Sequence, residues 1–225
     1  MARPESDRVK LLRSVLAERI LVLDGAMGTA LQDADLQAAD YGDPLHEGCP
    51  EILVVTRPDV ILQVHRAYLA AGCDMVETDT FGGTPLVLAE YDLAHRCREL
   101  NRRAGELARR ACAEFESDGR PRFVAGSMGP TTRSLTVTGG VTFDELRGQF
   151  AEQAAGLLEG GVDVLLIETQ QDTRNAKAAL LGCHQAMDET GRSVPLMVSG
   201  TIEPTGTMLA GQTAEALVAS LAHED

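Results

Sequence analysis

Short apolar runs, each followed at once by a glycine or a polar residue, recur along this 225-residue chain. Such runs are typical of strands that are covered on both faces, as in parallel sheets. Helical patterns with recognisable ends lie between them. The sequence therefore predicts an α/β fold with a parallel sheet. The predicted strands are Ile20–Leu23, Met75–Val76, Phe123–Ala125, Val162–Ile167 and Leu196–Val198.

Several helix ends can be predicted from the residues that flank them. Pro58 suits the first turn of a helix, and Gly72 would end that helix. Thr142 and Glu145 have the spacing of a capping box. We expect two further helices, one that starts at Asp172 or Thr173 and one that runs from about Ala214, capped by Thr213, to the chain end.

The number of predicted strands bears on the architecture. Strands that alternate with helices form either an open parallel sheet or a (β/α)8 barrel. A complete barrel typically needs about 250 residues, whereas this chain has five predicted strands, and no strand follows the last predicted helix. We expect a TIM (β/α)8-type barrel that is truncated after about five β/α units.

The composition disfavours several classes of partner. Twenty Lys and Arg residues against 34 Asp and Glu residues give a formal net charge of −14, which disfavours nucleic acid and an anionic membrane surface as partners. No stretch approaches the roughly 20 apolar residues of a membrane span, and no signal peptide is visible. The five cysteines are widely spaced without a CxxC motif, so we expect a reducing, cytoplasmic location.

Polar residues follow the predicted strands, at the ends where parallel α/β folds place their sites. Glu168 directly follows the run Val164–Ile167 and would enter the barrel mouth, where an ionised carboxylate needs a cationic partner. That partner would be either a ligand ammonium group or an arginine such as Arg133 or Arg174. Asp24 is a similar candidate, although Asp-Gly also occurs simply as a turn.

The segment Asp24-Gly-Ala-Met-Gly-Thr29 is a glycine-containing turn after the first predicted strand. Consecutive backbone N–H groups in such a turn can bind a carboxylate or a phosphate. The segment does not have the spacing of a P-loop or of a dinucleotide-binding motif. Residues 78–81, after the second predicted strand, would either line the same pocket or cap the next helix.

Five long segments, in this order, resemble the homocysteine-binding domain of cobalamin-dependent methionine synthase, a homocysteine S-methyltransferase domain. The resemblance covers nearly the whole chain from about residue 19. We therefore expect a helical lead-in of residues 1–18 and a partial homocysteine-binding barrel domain of residues 19–225. The segments are LVLDGAMGTALQ (21–32), TRPDVILQVHRAYLAAGCDMVETDTFGGTP (56–85), GSMGPTTRSLTVTGGVTFDEL (126–146), GGVDVLLIETQQDTRNAKAAL (160–180) and SGTIEPTGTMLAGQTAEAL (199–217).

The resemblance implies a TIM barrel that binds homocysteine at the carboxyl ends of its strands. Matched by position, the backbone at Gly25, Ala26 and Met27 would bind the substrate carboxylate, and Asp24 and Glu168 would face its ammonium group. The resemblance also implies a zinc ion that binds and activates the homocysteine thiol. A free thiol has a pKa of about 8.5 and is mostly protonated at neutral pH, whereas a zinc-bound thiol is deprotonated. The methyl group would come from methylcobalamin, so folate- and cobalamin-binding modules are expected partners.

This sequence departs from the family pattern in two ways. The family's zinc cysteines lie in a Gly-x-Asn-Cys segment and a later Cys-Cys pair, neither of which occurs in these 225 residues. Asp79, a further candidate for substrate binding, replaces the asparagine of the family's Glu-Thr-Asn-Thr-Phe segment and would add a charge near the pocket. We expect zinc and cobalamin for the parent enzyme, no zinc ligand in this chain and no methyl transfer by this chain alone.

Three alternatives stay open at this point. The methyl donor could be betaine or S-methylmethionine, although the DGAMGT form of the first loop resembles methionine synthase more than the betaine-dependent enzymes. The chain could instead be a non-catalytic module that binds an amino acid without zinc. It could also be a complete open-sheet interaction protein.

Overall fold

The computed structural model of the protein describes residues 6–116 and 119–223. Within these residues four strands form one parallel sheet, in the order in which they occur along the chain. They are β1 (Met75–Glu77), β2 (Phe123–Met128), β3 (Val164–Gln170) and β4 (Leu196–Gly200).

Helices connect and cover these strands. The α-helices of the described residues are α1 (Asp7–Glu18), α2 (Met27–Gln32), α3 (Leu53–Thr56), α4 (Pro58–Ala71), α5 (Pro85–Leu88), α6 (Cys97–Phe115), α7 (Phe143–Glu159), α8 (Thr173–Thr190) and α9 (Ala214–Leu221). Short 3-10 helices span Ala38–Tyr41, Pro44–His46, Pro50–Ile52, Ala89–Tyr91 and Ala94–Arg96. In this part of the chain no helix is long and apolar enough to cross a membrane.

The two faces of the sheet pack against different parts of the chain, as expected for parallel strands. One face packs against α6, α7 and α8 through side chains such as Val124 and Leu165. The opposite face, called here the inner face, packs against Leu12 of α1 at the amino ends of the strands. The apolar residues of the inner face are Met75, Phe123, Ala125, Val164 and Leu166.

The prediction of a first buried strand at Ile20–Leu23 is wrong. This segment forms only one isolated parallel bridge, between Leu23 and Met75, and Ile20 is 89% exposed. A strand needs a row of hydrogen bonds to a neighbour, and β1, the neighbour of this segment, is itself only three residues long. The segment is therefore attached to the edge of the sheet without forming a fifth strand.

All four strands continue past their predicted carboxyl ends, β1 by the single residue Glu77. β2 continues to Met128, β3 to Gln170 and β4 to Gly200, so Ser127 and Glu168 lie inside strands instead of following them. Their side chains are hydrogen-bonded to each other across β2 and β3. The sequence prediction assumes that polar side chains end a strand. The strand pairing continues through these polar residues, so the predicted strands are too short.

The predicted helix ends are confirmed, except for the end of the last helix. Gly72 ends α4 in the left-handed conformation, with a φ of 105°. Thr142 and Glu145 form the capping box of α7. Asp172 caps α8 and Thr213 caps α9 through their side chains. α9 ends at Leu221, before the predicted end, and residues 224–225 lie outside the described residues.

Two buried aspartates at the amino ends of the strands pair with arginines. Asp74, before β1, accepts two hydrogen bonds of 2.8 Å from Arg19, whose guanidinium holds the pKa of that carboxyl well below its usual range. Asp163, before β3, pairs with Arg8 and Arg109. Arg8 belongs to α1 and Arg19 follows it, so these ion pairs also fasten α1 to the amino ends of the strands.

Two alanine substitutions within α7 test how closely this helix approaches α6. A Cβ on Gly156 would lie 2.7 Å from the carbonyl oxygen of Arg98 and 2.9 Å from Asn101 Cβ, whereas a Cβ on Gly148 would meet nothing within 4 Å. We expect Gly148→Ala to stabilise the protein by up to about 1 kcal/mol through helix propensity. We expect Gly156→Ala to destabilise it by about 1–3 kcal/mol through overpacking. Urea unfolding measures both, and equal shifts in the two variants would contradict the close approach.

Candidate functional site

A cavity of about 370 Å³ lies at the carboxyl ends of the strands. Four acidic residues line it, namely Glu51, Glu77, Asp79 and Glu168, and no Lys, Arg or His is among the described residues that form its wall. Two larger clefts have volumes of about 670 and 590 Å³. The first is lined by residues of α1, α8, β4 and α9, and the second by residues of α2 and α4. The smaller cavity therefore combines the strand-end position with a concentration of titratable groups, as functional sites do.

Glu168 faces this cavity from the inner face of β3. Ser127 Oγ donates to Glu168 Oε1 at 2.5 Å, and Thr169 Oγ1 donates to Oε2 at 3.2 Å. Within the described part of the chain Glu168 forms no salt bridge, so neither Arg133 nor Arg174 is its partner. From the sequence, the partner of Glu168 is either an arginine or a ligand ammonium group. The arginine pair is not formed among the described residues.

The backbone changes direction directly after Glu168. The pairing of β3 with β4 is irregular between Ile167 and Gln170, and Thr169 lies in the left-handed region with a φ of 56°. Thr169 N donates to Ser199 Oγ on β4 at 3.0 Å. Bulges of this kind bend a strand and redirect its side chains, so the backbone here contributes to the direction of the Glu168 carboxylate.

Asp24 lies beside β1 but is not part of the cavity wall itself. Its Oδ1 accepts the backbone N–H of Glu77 at 2.8 Å, and its own N–H donates to the Met75 carbonyl oxygen at 3.0 Å. Burial raises the pKa of Asp24 to about 7, and the negative charge of Glu168 also raises it. Asp24 and Glu168 are therefore close enough to interact electrostatically.

The turn after Asp24 brings main chain to the cavity. Ala26 has a φ of 49° and directly precedes α2. Ala26 and Met27 line the cavity, whereas Gly25 does not. Because the first N–H groups of a helix have no partner inside the helix, this turn has donors near the cavity wall.

Asp79 is buried in the cavity wall at 5% exposure, and its Oδ2 has no hydrogen-bond partner among the described residues. Burial raises the pKa of Asp79 well above its usual range, and the neighbouring charge of Glu51 raises it further. Glu51, at 6% exposure, accepts the backbone N–H of Gly82 at 2.6 Å. Two acidic side chains therefore lie together on this wall, and no Lys, Arg or His is among the described residues that form it.

Sequence reasoning did not select Glu77 and Glu51 as site residues. Glu77 directly follows the apolar pair Met75-Val76, so the argument that selected Glu168 could have found it. Burial raises the pKa of Glu77 to about 8, and the charges of Glu168 and Asp24 also raise it. Glu51 comes from a 3-10 helix between the predicted strands, where no spacing rule identifies a site residue.

The described residues do not fit a zinc site. In residues 6–116 and 119–223 no group of three or more His, Cys, Asp or Glu side chains could hold a metal ion. All five cysteines are buried and free. Burial raises the pKa of the Cys73 thiol to about 12, whereas zinc binds thiolates.

Comparison with known proteins decides the family. A model of the homocysteine S-methyltransferase family matches residues 21–225. The chain belongs to this family. The resemblance predicted from the five sequence segments is confirmed.

Two homocysteine S-methyltransferase relatives of this chain are mycobacterial methionine synthases. The protein of Mycobacterium leprae (strain TN) is 45% identical over 210 residues, which are 93% of this chain and 17% of that protein. The protein of Mycobacterium tuberculosis (strain ATCC 25618 / H37Rv) is 47% identical over 200 residues, which are 89% of this chain and 16% of that protein. The chain therefore spans about a sixth of the length of these relatives.

Solved structures of a homocysteine methyltransferase share the fold. The metallated form of MmuM from Escherichia coli has a TM-score of 0.76 and 24% identity, and the match covers 94% of this chain and 74% of that chain. The oxidised form has a TM-score of 0.75 and 25% identity, and covers 94% and 72%. The predicted α/β fold with a parallel sheet is confirmed, and the fold is of the TIM-barrel type.

The raised pKa values of Asp24 and Glu77 predict a pH-dependent stability. The pKa values are about 7 and about 8 in the folded chain and about 4 in an unfolded chain. Between these values the folded state binds more protons, so the contribution of these groups to the unfolding free energy falls as pH rises from about 4 to about 8. We expect Glu77→Gln to flatten this fall.

Urea unfolding at several pH values measures the effect. The control is Glu90→Gln, at an exposed position outside the cavity, which should leave the slope of free energy against pH unchanged. The same slope in Glu77→Gln as in the unsubstituted chain would contradict a raised pKa at Glu77.

Proposed function

We propose that this chain forms part of a homocysteine-binding barrel of the methionine synthase type. In the parent enzyme this barrel would hold homocysteine while a methyl group from methylcobalamin is transferred to its sulfur, giving methionine. The identity of 45–47% to two methionine synthases supports this type over the betaine- or S-methylmethionine-dependent alternative.

The observation that supports the proposal is that Glu168 lines the cavity and interacts electrostatically with Asp24, which lies beside the cavity wall. Neither forms a salt bridge within the described residues, and a buried carboxylate needs a cation or a proton. The ammonium group of an amino acid would be such a cation. The main chain of Gly25, Ala26 and Met27 would bind the carboxylate of that amino acid. Ala26 and Met27 line the cavity, and Gly25 directly precedes them.

The chain's own contribution to the reaction is binding and orientation. Glu168 would hold the ammonium group in a direction fixed by its hydrogen bonds to Ser127 and Thr169. Holding a reactant in one geometry lowers the entropic part of a reaction barrier. Zinc, methylcobalamin and the folate- and cobalamin-binding modules belong to the proposal as expected parts of the parent enzyme. The described residues offer no ligand set for the metal.

The proposed domain division is a helical lead-in of residues 1–18 and a partial barrel domain of residues 19–225. Residues 1–5 of the lead-in lie outside the described residues. The attachment of α1 through Arg8 and Arg19 supports its role as a cover for the amino ends of the strands. A cytoplasmic location, and the exclusion of nucleic acid and membrane as partners, stay predictions of the composition.

We propose further that the barrel is truncated after about five β/α units, of which the first contributes only the isolated bridge of Leu23 to the described sheet, and that the chain alone is inactive and poorly stable. The match to 74% of the MmuM chain supports the truncation. Met197 on the inner face of β4 is 41% exposed and Val22 at the other edge is 56% exposed. Apolar side chains at open sheet edges lower stability and favour association.

Calorimetry with L-homocysteine tests the proposed site. We expect binding without added zinc, and we expect Glu168→Gln to weaken it by about 10-fold or more, because a hydrogen bond to a charged group contributes about 1.5–3 kcal/mol. The matched ligand is 4-mercaptobutyrate, which lacks the ammonium group. This ligand should bind weakly and equally to both proteins, because the charge of Glu168 then has no partner.

The control variant for this titration is Glu90→Gln, which should bind homocysteine as the unsubstituted chain does. An equal loss of both ligands in Glu168→Gln, or no binding of homocysteine to the unsubstituted chain, would contradict the proposed site. Zinc-independent binding together with binding of methionine of equal strength would favour a non-catalytic amino-acid-binding module.

A second measurement tests the proposed inactivity. The chain, supplied with homocysteine, zinc and methylcobalamin, should form no methionine above the rate without protein. The described residues contain no group that could hold the metal. Methionine formation that depends on the chain would refute this part of the proposal.

A further inference from the structure

We propose that Asp79 carries a proton at neutral pH and donates it, as a hydrogen bond, to a lone-pair atom of the ligand in the cavity. This wall of the cavity would then bind an acceptor, whereas the wall formed around Glu77 and Glu168 would bind a cation. The proposal rests on the proposed function only for the identity of the ligand. The protonation of Asp79 itself follows from the arrangement of the chain.

Burial without a cation is the first part of the argument. Asp79 lines the cavity at 5% exposure, and no described residue is hydrogen-bonded to its Oδ2. Among the described residues, Asp79 interacts electrostatically with Glu51, Cys49 and Tyr41, and none of these three is a cation. An ionised carboxylate in such a place is costly, and a carboxylic acid avoids that cost.

The hydrogen bonds of the pair indicate which of the two acids holds the proton. Glu51 Oε1 accepts the N–H of Gly82 at 2.6 Å, and Glu51 Oε2 accepts the thiol of Cys49 at 3.4 Å. Donors of this kind favour the charged form of a carboxyl group. Asp79 Oδ2 has no such donor. We therefore assign the negative charge to Glu51 and the proton to Asp79. The raised pKa of Asp79 agrees with this assignment.

The backbone on both sides of Asp79 is fixed by buried hydrogen bonds. Ser127 N donates to Thr78 Oγ1 at 3.0 Å, and Thr80 Oγ1 donates to the Ser127 carbonyl oxygen at 2.7 Å. Gln153 Nε2 donates to the Thr80 carbonyl oxygen at 2.7 Å. A donor on such a rigid segment is already placed before a ligand enters, so little entropy is lost on binding.

A carboxylic acid on this wall selects for the acceptor groups of an amino acid. If the ammonium group faces Glu168, the two remaining polar groups of homocysteine are its carboxylate and its sulfur, and both carry lone pairs. Asp79 would bind one of them. Ligands that lack either the carboxylate or the sulfur can therefore show which of these two groups Asp79 binds.

Infrared spectroscopy tests the protonation without any ligand. At about pH 7 the carboxyls of Asp24 and Glu77, with pKa values of about 7 and 8, also contribute protonated carboxyl bands, so the spectra of the variants are compared with that of the unsubstituted chain at this one pH. We expect Asp79→Asn to lose one carboxylic acid C=O band that the unsubstituted chain and Glu77→Gln both retain. No difference in this band between the unsubstituted chain and Asp79→Asn at this pH would overturn the proposal.

Calorimetry tests the donor role. Asp79→Leu removes the donor at similar volume and should weaken homocysteine binding about 10-fold or more. Asp79→Asn restores an N–H donor and should recover most of that loss. Norvaline lacks the sulfur and 3-aminopropanethiol lacks the carboxylate. The ligand for which Asp79→Leu causes no loss identifies the group that Asp79 binds.

The outcomes separate this proposal from the proposed function. If homocysteine does not bind the unsubstituted chain, the proposed function fails while the infrared result still decides the protonation of Asp79. If Asp79→Asn binds as weakly as Asp79→Leu, or if Asp79→Leu binds as the unsubstituted chain does, the donor role is refuted. If Asp79→Leu does not fold, the comparison of Asp79→Asn with the unsubstituted chain in the infrared remains decisive.

Discussion

The parallel register of β1, β2 and β3 is the constraint on which the arrangement of the site depends. Glu77 pairs with Ala125, and Ser127 pairs with Leu166. Because side chains alternate between the two faces of a strand, this register places Glu77, Ser127 and Glu168 on the inner face, beyond the apolar residues that pack against α1. A shift of one residue would turn the polar side chains into the helical layer and the apolar ones into the cavity.

Acidic residues at the two ends of the sheet differ in their neighbours, and their chemistry differs accordingly. Asp74 and Asp163, at the amino ends of the strands, are buried against guanidinium groups and fasten α1. Asp24 and Glu77, at the carboxyl ends, have no such partner among the described residues, and burial raises their pKa values. The first pair is structural, because its charges are already balanced. The second group is free to respond to a ligand.

Much of the fold could be predicted from the sequence because the signals are local. The helix caps at Thr142 and Asp172 depend on residues that are close along the chain. The selection of Glu168 depends only on its position directly after the apolar run Val164–Ile167. The strand expected at residues 20–23 failed because strand formation depends on a neighbour, and β1 is short. Glu51 and the burial of Asp79 could not be predicted, because loop packing and desolvation are properties of the tertiary structure.

At Thr169 the backbone conformation favours glycine, whereas the hydrogen bond to Glu168 requires the threonine side chain. A residue with a Cβ in the left-handed region is strained by about 1–2 kcal/mol, and glycine would relieve this strain. The Thr169 hydroxyl, however, donates to Glu168 Oε2, and glycine would leave that carboxylate with one restraint fewer. Selection for thermostability and selection for a rigid ligand site therefore favour different residues here. In directed evolution of this protein, a glycine at 169 would mark a lineage that gained stability at the expense of binding.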